Sequence, residues 1–144
     1  MKYDVIGIGN AVMDVIAPVD DYFLSEMAIQ KGIMQLVELE RAEMLFHAMG
    51  EHRQIPGGSV ANTVAGCGNL GLSTAFIGKV ADDAIGRAYV AETEAGGTHC
   101  PNAPERDARL PSSRSMIFVS RDGERSMNTY LGISSELSSG DVST

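Results

Sequence analysis

The chain opens on a short apolar run, Tyr3 to Gly9 (YDVIGIG), rich in β-branched residues. A run of this length and composition predicts a buried strand. Val12 to Val19 continues the same texture after a break at Gly9-Asn10, where a bulge is expected. Asp20-Asp21 offers a cap for a short helix near Tyr22 to Met27, and Gln35 to Val37 suits a short strand. The period then changes. Leu39, Ala42, Met44, Leu45, Phe46 and Met49 form a helical stripe over Glu38 to Met49, and Gly50 ends it. Ser59 to Leu70 predicts the next helix, with Ser59 as N-cap and Gly71 as stop. Its face is small (Ala61, Ala65, Gly66, Gly68), so it can lie close to neighbouring backbone. Thr74 to Val80 reads as a strand. Asp82-Asp83 caps a helix reaching about Ala95, Gly96-Gly97 closes it, and Gly97 to Cys100 suits one more short strand.

After that the pattern loosens. Pro101 to Ser113 carries three prolines and reads as a loop. Two β-prone runs follow, Arg114 to Ser120 and Arg125 to Leu131, joined by Arg121-Asp-Gly-Glu124, a strong hairpin signal. The serine-rich end, SSELSSGDVST, has no element after it, and Asp141 looks like the entry to a further helix or strand. The strand–helix alternation predicts an α/β fold with a mostly parallel sheet and flanking helices, to which the hairpin adds a small antiparallel flap.

Bulk properties narrow the function classes. The 144 residues suffice for one ordinary domain, and 44% hydrophobic with 21% charged residues indicates a packed core. A net charge of −8 argues against non-specific binding to nucleic acid or anionic membrane. The N-terminal stretch MKYDVIGIGNAVMD does not read as a signal peptide, and no run reaches the ~18 apolar residues of a membrane span. Cys67 and Cys100 do not make a disulfide scaffold, and Cys67 is expected as a buried free thiol. A cytoplasmic, reduced protein is the expectation.

Most sites with a sequence signature are missing. Gly7-Ile8-Gly9 follows a strand like the opening of a dinucleotide fingerprint, but Val12 stands at the third glycine and Asp20 is too near for the ribose acid. No phosphate-loop motif and no G-x-S-x-G occur. His47 and His52, five apart, and the lone pair His99-Cys100 do not suggest a metal site. Two stretches remain. In Gly9-Asn10-Ala-Val-Met-Asp14 an amide and a carboxylate lie at the carboxyl end of the first strand, where open α/β sheets bind ligands. Asp14 can accept two hydroxyl hydrogen bonds, and Asn10 can give and take. In QIPGGSVANT, Gly57 and Gly58 clear side chains in front of a helix whose first N–H groups are unpaired, with Asn62 one turn in. Each stretch also has a plain local reading: a turn aspartate, and a glycine turn with a serine cap.

The two stretches in this order, followed by GKVADDAIGRAY and RSMIFVSRDGERSMNTYL, resemble the ribokinase, or PfkB, family of carbohydrate and nucleoside kinases. The likeness spans residues 1–144 but only the amino-terminal half of such an enzyme. It implies a ribokinase-like α/β fold, here incomplete, with a β-lid from segments around 11–19, 34–37 and 114–131. The form G-G-S-x-x-N, with Val60 where the general pattern has glycine, alanine or proline, is similar to the adenosine-kinase-like branch. By that resemblance Asp14 and Asn10 hold ribose hydroxyls, Gly57, Gly58 and Ser59 form the helix mouth, and Asn62 bonds a further hydroxyl. Gln35 lies near a purine, and Arg125 and Met127 close over the substrate. The implied reaction is transfer of a phosphoryl group from ATP, with Mg2+, to a primary hydroxyl of a nucleoside or sugar. The family's G-A-G-D catalytic and anion-holding segment has no counterpart here, since Gly140-Asp141 lacks its preceding Gly-Ala. The expectation is a substrate-binding half with no catalytic, cofactor or metal residue of its own, inactive alone, and exposing apolar sheet edge. A homodimer through the lid is open. The alternatives are a non-catalytic sugar or nucleoside-binding module and, less favoured, a dinucleotide-binding domain.

Overall fold

The computed structural model describes residues 2–142. In chain order these form β1 (Val5–Ile8), β2 (Val12–Pro18), α1 (Asp21–Glu26), β3 (Met34–Leu36), α2 (Leu39–Ala48), β4 (Arg53–Gly57) and α3 (Ser59–Asn69). Then follow β5 (Thr74–Ile77), α4 (Ala84–Ala95), β6 (Thr98–His99), β7 (Ser113–Val119) and β8 (Arg125–Tyr130), with 3-10 turns at Gly132–Glu136 and Ser139–Asp141. The chain divides into two compact units.

The first unit holds the chain up to Met13, Ile55–Ser113 and the chain from Leu131 onward. Its sheet is parallel, in the order β1-β5-β6, with Val5 opposite Thr74 and Thr74 opposite Thr98. All four residues of β5 are buried, as a strand covered on both faces requires. Helix α3 packs on β1 and β5, and Gly7 and Gly9 present no side chain to it. A Cβ on Gly7 or Gly9 would lie 2.7 and 2.9 Å from Val60 atoms. The two glycines of the GIG run therefore serve helix–strand packing. On the edge strand β1, Ile6 and Ile8 stay 54% and 50% exposed. Asp83 caps α4 by accepting from the Gly86 amide at 2.7 Å, and Tyr89 of α4 is buried against Phe76.

The second unit holds Asp14–Gln54 and Arg114–Tyr130. The sheet ordered β3-β8-β7-β2-β4 is built on it, with β2 and β4 running on into the first unit. Strands β7 and β8 form the hairpin, closed by the Ser120 amide on the Glu124 carbonyl. One face of the sheet is covered by α1 and α2: Phe23 of α1 meets Phe118, and Phe46 of α2 stacks on the Arg114 guanidinium. Lys31 ties the hairpin turn down, pairing with Asp122 at 2.6 Å and Asp21 at 3.0 Å, and its proximity holds the Asp122 carboxyl at about 2.

Several expectations change. The break at Gly9-Asn10 is no bulge, because β1 and β2 belong to different sheets. The short strand is Met34–Leu36, one residue earlier than expected. β4 went unanticipated, since Pro56 and alternating exposure hide it. Ser59 is the first residue of α3 and not its N-cap. That place falls to Gly58, at φ 101°, and no side chain caps the helix. Asp141 closes its own turn, bonding the Ser138 amide at 2.8 Å, and pairs with Lys79 at 3.5 Å.

Ala28, after α1, sits at φ 53°, which an L side chain adopts at a cost. Arg41 holds it there by donating to the Met27 and Ala28 carbonyls. Ala28→Gly relieves the strain, so we expect a gain of about 0.5–1 kcal/mol in chemical denaturation, part of the relief being offset by glycine's greater unfolded-state freedom. A loss would show that the methyl group contributes more packing than strain.

Candidate functional site

In the first unit the sequence-predicted residues gather around the start of α3. The Asn10 carbonyl oxygen approaches Gly58 so closely that a Cβ there would sit 2.5 Å from it, and the positive φ excludes other residues independently. Gly57 is buried, and its carbonyl accepts from the Tyr89 hydroxyl at 2.8 Å, which anchors the turn to α4. The Asn62 amide bonds back to the Gly58 carbonyl at 2.9 Å. Ser59 is exposed and accepts the Thr63 hydroxyl at its carbonyl. Asn10 and Asn62 are both exposed. The Asn62 side chain lines a small recess of about 130 Å³ with Pro56, Ala65, Thr93 and Thr98. The helix mouth is thus open, with its first amides uncapped by any side chain.

In the second unit, Asp14 stands on β2, partly buried. Burial pushes its carboxyl above the ordinary 3.8, and the positive charge of Arg125 acts against that shift. Among the described residues, nothing donates a hydrogen bond to this carboxylate and no ion pair holds it. Its acceptor capacity is left for an outside donor.

Register decides which residues of this sheet meet. Met34 pairs with Met127, Gln35 with Asn128 and Leu36 with Thr129. Neighbours in register point to the same face, and successive residues to opposite faces. Met34, Leu36, Met127 and Arg125 therefore share one face. Gln35 stands on the other with Asn128 and Phe118, the side that α1 covers. Gln35 and Met127 are not brought together. Met34 and Leu36, 54% and 62% exposed, are the residues that sequence reasoning missed. Two apolar side chains at alternate positions of a short edge strand were the available signal.

The other motif residues are structural. Asp83 Oδ1 and Oδ2 accept from the Ser112 hydroxyl at 2.7 Å and the Ser112 amide at 3.0 Å, fixing the start of β7 to α4. Gly86 lies under the Ala81 carbonyl. Burial, then Glu94, pushes the Cys100 thiol up to about 12. The residues nearest in sequence to a phosphate-holding segment, Gly140 and Asp141, do not fit one, because Asp141 is engaged by its own turn and by Lys79.

A family model described as pfkB family carbohydrate kinase matches residues 4–142. The chain belongs to this family. The pfkB chain is also similar to a solved adenosine kinase from Sinorhizobium meliloti, at 49% identity and a TM-score of 0.89, covering 99% of this chain and 43% of that one. A probable sugar kinase from Rhizobium etli CFN 42 matches at 45% identity with a TM-score of 0.87, over 97% of this chain and 42% of that one. A fructokinase from Klebsiella pneumoniae is 32% identical over 95 residues, which is 66% of this chain and 31% of that protein. The pfkB chain therefore spans less than half the length of these relatives, and its ribokinase-like fold is partial.

Proposed function

We propose that the chain is the substrate-binding part of a kinase that phosphorylates a primary hydroxyl of a nucleoside, and that alone it binds without turning over. The observation that carries this is Asp14: a carboxylate kept partly out of water, without an internal donor, can hold paired ribose hydroxyls. In this reading Asn10, Gly57, Gly58, Ser59 and Asn62 keep the substrate-binding roles that the family resemblance implies. The sheet carrying Arg125 and Met127 is the lid that excludes water. Met34 and Leu36 extend the Met127 face and offer the base an apolar seat that a free sugar cannot use. The similarity to adenosine kinases supports the same choice. Gly7 and Gly9 are taken up by Val60, which removes the main support for a dinucleotide site.

ATP with Mg2+ supplies the phosphoryl group in this reaction. A second reading, a sugar substrate, draws on the fructokinase and sugar-kinase relatives. Incubating the 144-residue chain with ATP, Mg2+ and adenosine should give no phosphorylated product above background, although adenosine binds. Robust turnover would overturn the half-site reading, and absent binding would overturn the substrate role.

A further inference from the structure

Asn128 lies in the core of the second unit at 2% exposure, and its Nδ2 donor has no hydrogen-bond partner. A buried unpaired donor is costly, and one this deep calls for an explanation. Its register neighbours are Met116 on β7 and Gln35 on β3, both on its own face of the sheet. Met116 offers only a weak thioether acceptor. Gln35 offers an amide. Its Nε2 donates to Gln30 Oε1 at a long 3.4 Å, a bond that leaves the Gln35 Oε1 acceptor unengaged.

The strand that carries Gln35 needs holding. β3 has three residues, all exposed, and lies at the sheet edge. Two backbone bonds flank it, Met127 N–H to the Ile33 carbonyl and Val37 N–H to the Thr129 carbonyl, each 2.9 Å. A one-residue slip exchanges its faces. It would move Met34 and Leu36 to the helix-covered side and Gln35 to the Met127 face.

We propose that Gln35 is a positioning residue whose Oε1 accepts from Asn128 Nδ2, closing an amide relay from Asn128 through Gln35 to Gln30. The relay locks β3 in the register that keeps Met34 and Leu36 on the Met127 face. The lock stands on geometry alone. Its use in placing a nucleoside base rests on the function proposed above.

Hydrogen exchange of the Val37 and Met127 amides in the whole chain tests it. Gln35→Met keeps the length and removes the acceptor, and should speed exchange of both amides about fivefold. Gln35→Glu keeps an acceptor and should stay close to the unmodified rate. In an Asn128→Leu background, Gln35→Met should add nothing, since the donor is gone. Equal acceleration in both backgrounds, or equal rates for Gln35→Met and Gln35→Glu, would overturn the lock. The second comparison decides even where Asn128→Leu does not fold. Lost nucleoside binding with this coupling intact would strike the substrate reading instead, so the two failures are distinguishable.

Discussion

Asp14→Ala should weaken nucleoside binding by about a hundredfold or more while leaving the chain folded. Two hydrogen bonds from sugar hydroxyls to a carboxylate are each worth about 1.5–3 kcal/mol, and about 3 kcal/mol is two orders of magnitude in Kd. The same residue should cost stability. Its folded-state carboxyl is raised by burial despite Arg125, so its contribution favours folding below the ordinary 3.8 and is lost as pH rises through the folded value. Asp14→Asn removes that titration. Its melting temperature relative to the unmodified chain should therefore increase from about pH 4 upward, where the unmodified carboxylate ionises. Isothermal titration checks the first effect and melting curves across pH check the second. A variant that binds normally, or a gap that closes with rising pH, would contradict the assignment of Asp14 as a desolvated hydroxyl acceptor.

Gly86→Ala should be the most damaging single methyl group in the first unit. Its Cβ would overlap the Ala81 carbonyl oxygen and lie 2.7 Å from the Ser112 hydroxyl. That hydroxyl already accepts from the Ala81 amide at 2.9 Å and donates to Asp83 at 2.7 Å. Nothing there can yield without breaking the α4 cap, so we expect a loss of about 3 kcal/mol or more and a Tm lower by about 10 °C. Gly66→Ala provides the control. Gly66 lies in α3 with open space where its Cβ would point, and alanine there should gain up to about 1 kcal/mol through helix propensity. Two losses of similar size would show that the Gly86 effect is not the steric one described.

Much of this was legible in the chain because it is locally encoded. The α2 stripe, the Asp20 and Asp83 caps and the Asp-Gly hairpin depend on residues a few positions apart, and each appears where its spacing places it. What escaped depends on partners distant in sequence. Gly58 takes the N-cap because the Asn10 carbonyl and a positive φ claim that position, and no serine spacing reveals this. Strand β4 is recruited by the sheet, against the preference of Pro56. The face on which Gln35 lies is a question of parity. It is settled by pairing with Asn128, 93 residues on, and a run such as Met-Gln-Leu-Val does not say which of its residues look outward. The family resemblance drew attention to that strand, and register separates Met34 and Leu36 from Gln35.

The central claim is that this partial pfkB fold binds a nucleoside through its ribose and its base together. The most direct test is titration of the 144-residue chain with adenosine and, separately, with free ribose, without ATP. The structure predicts saturable adenosine binding at least tenfold tighter than ribose, because Met34, Leu36 and Met127 offer apolar area that only the base can cover. Ribose binding as tightly as adenosine, or adenosine not binding at all, would contradict it.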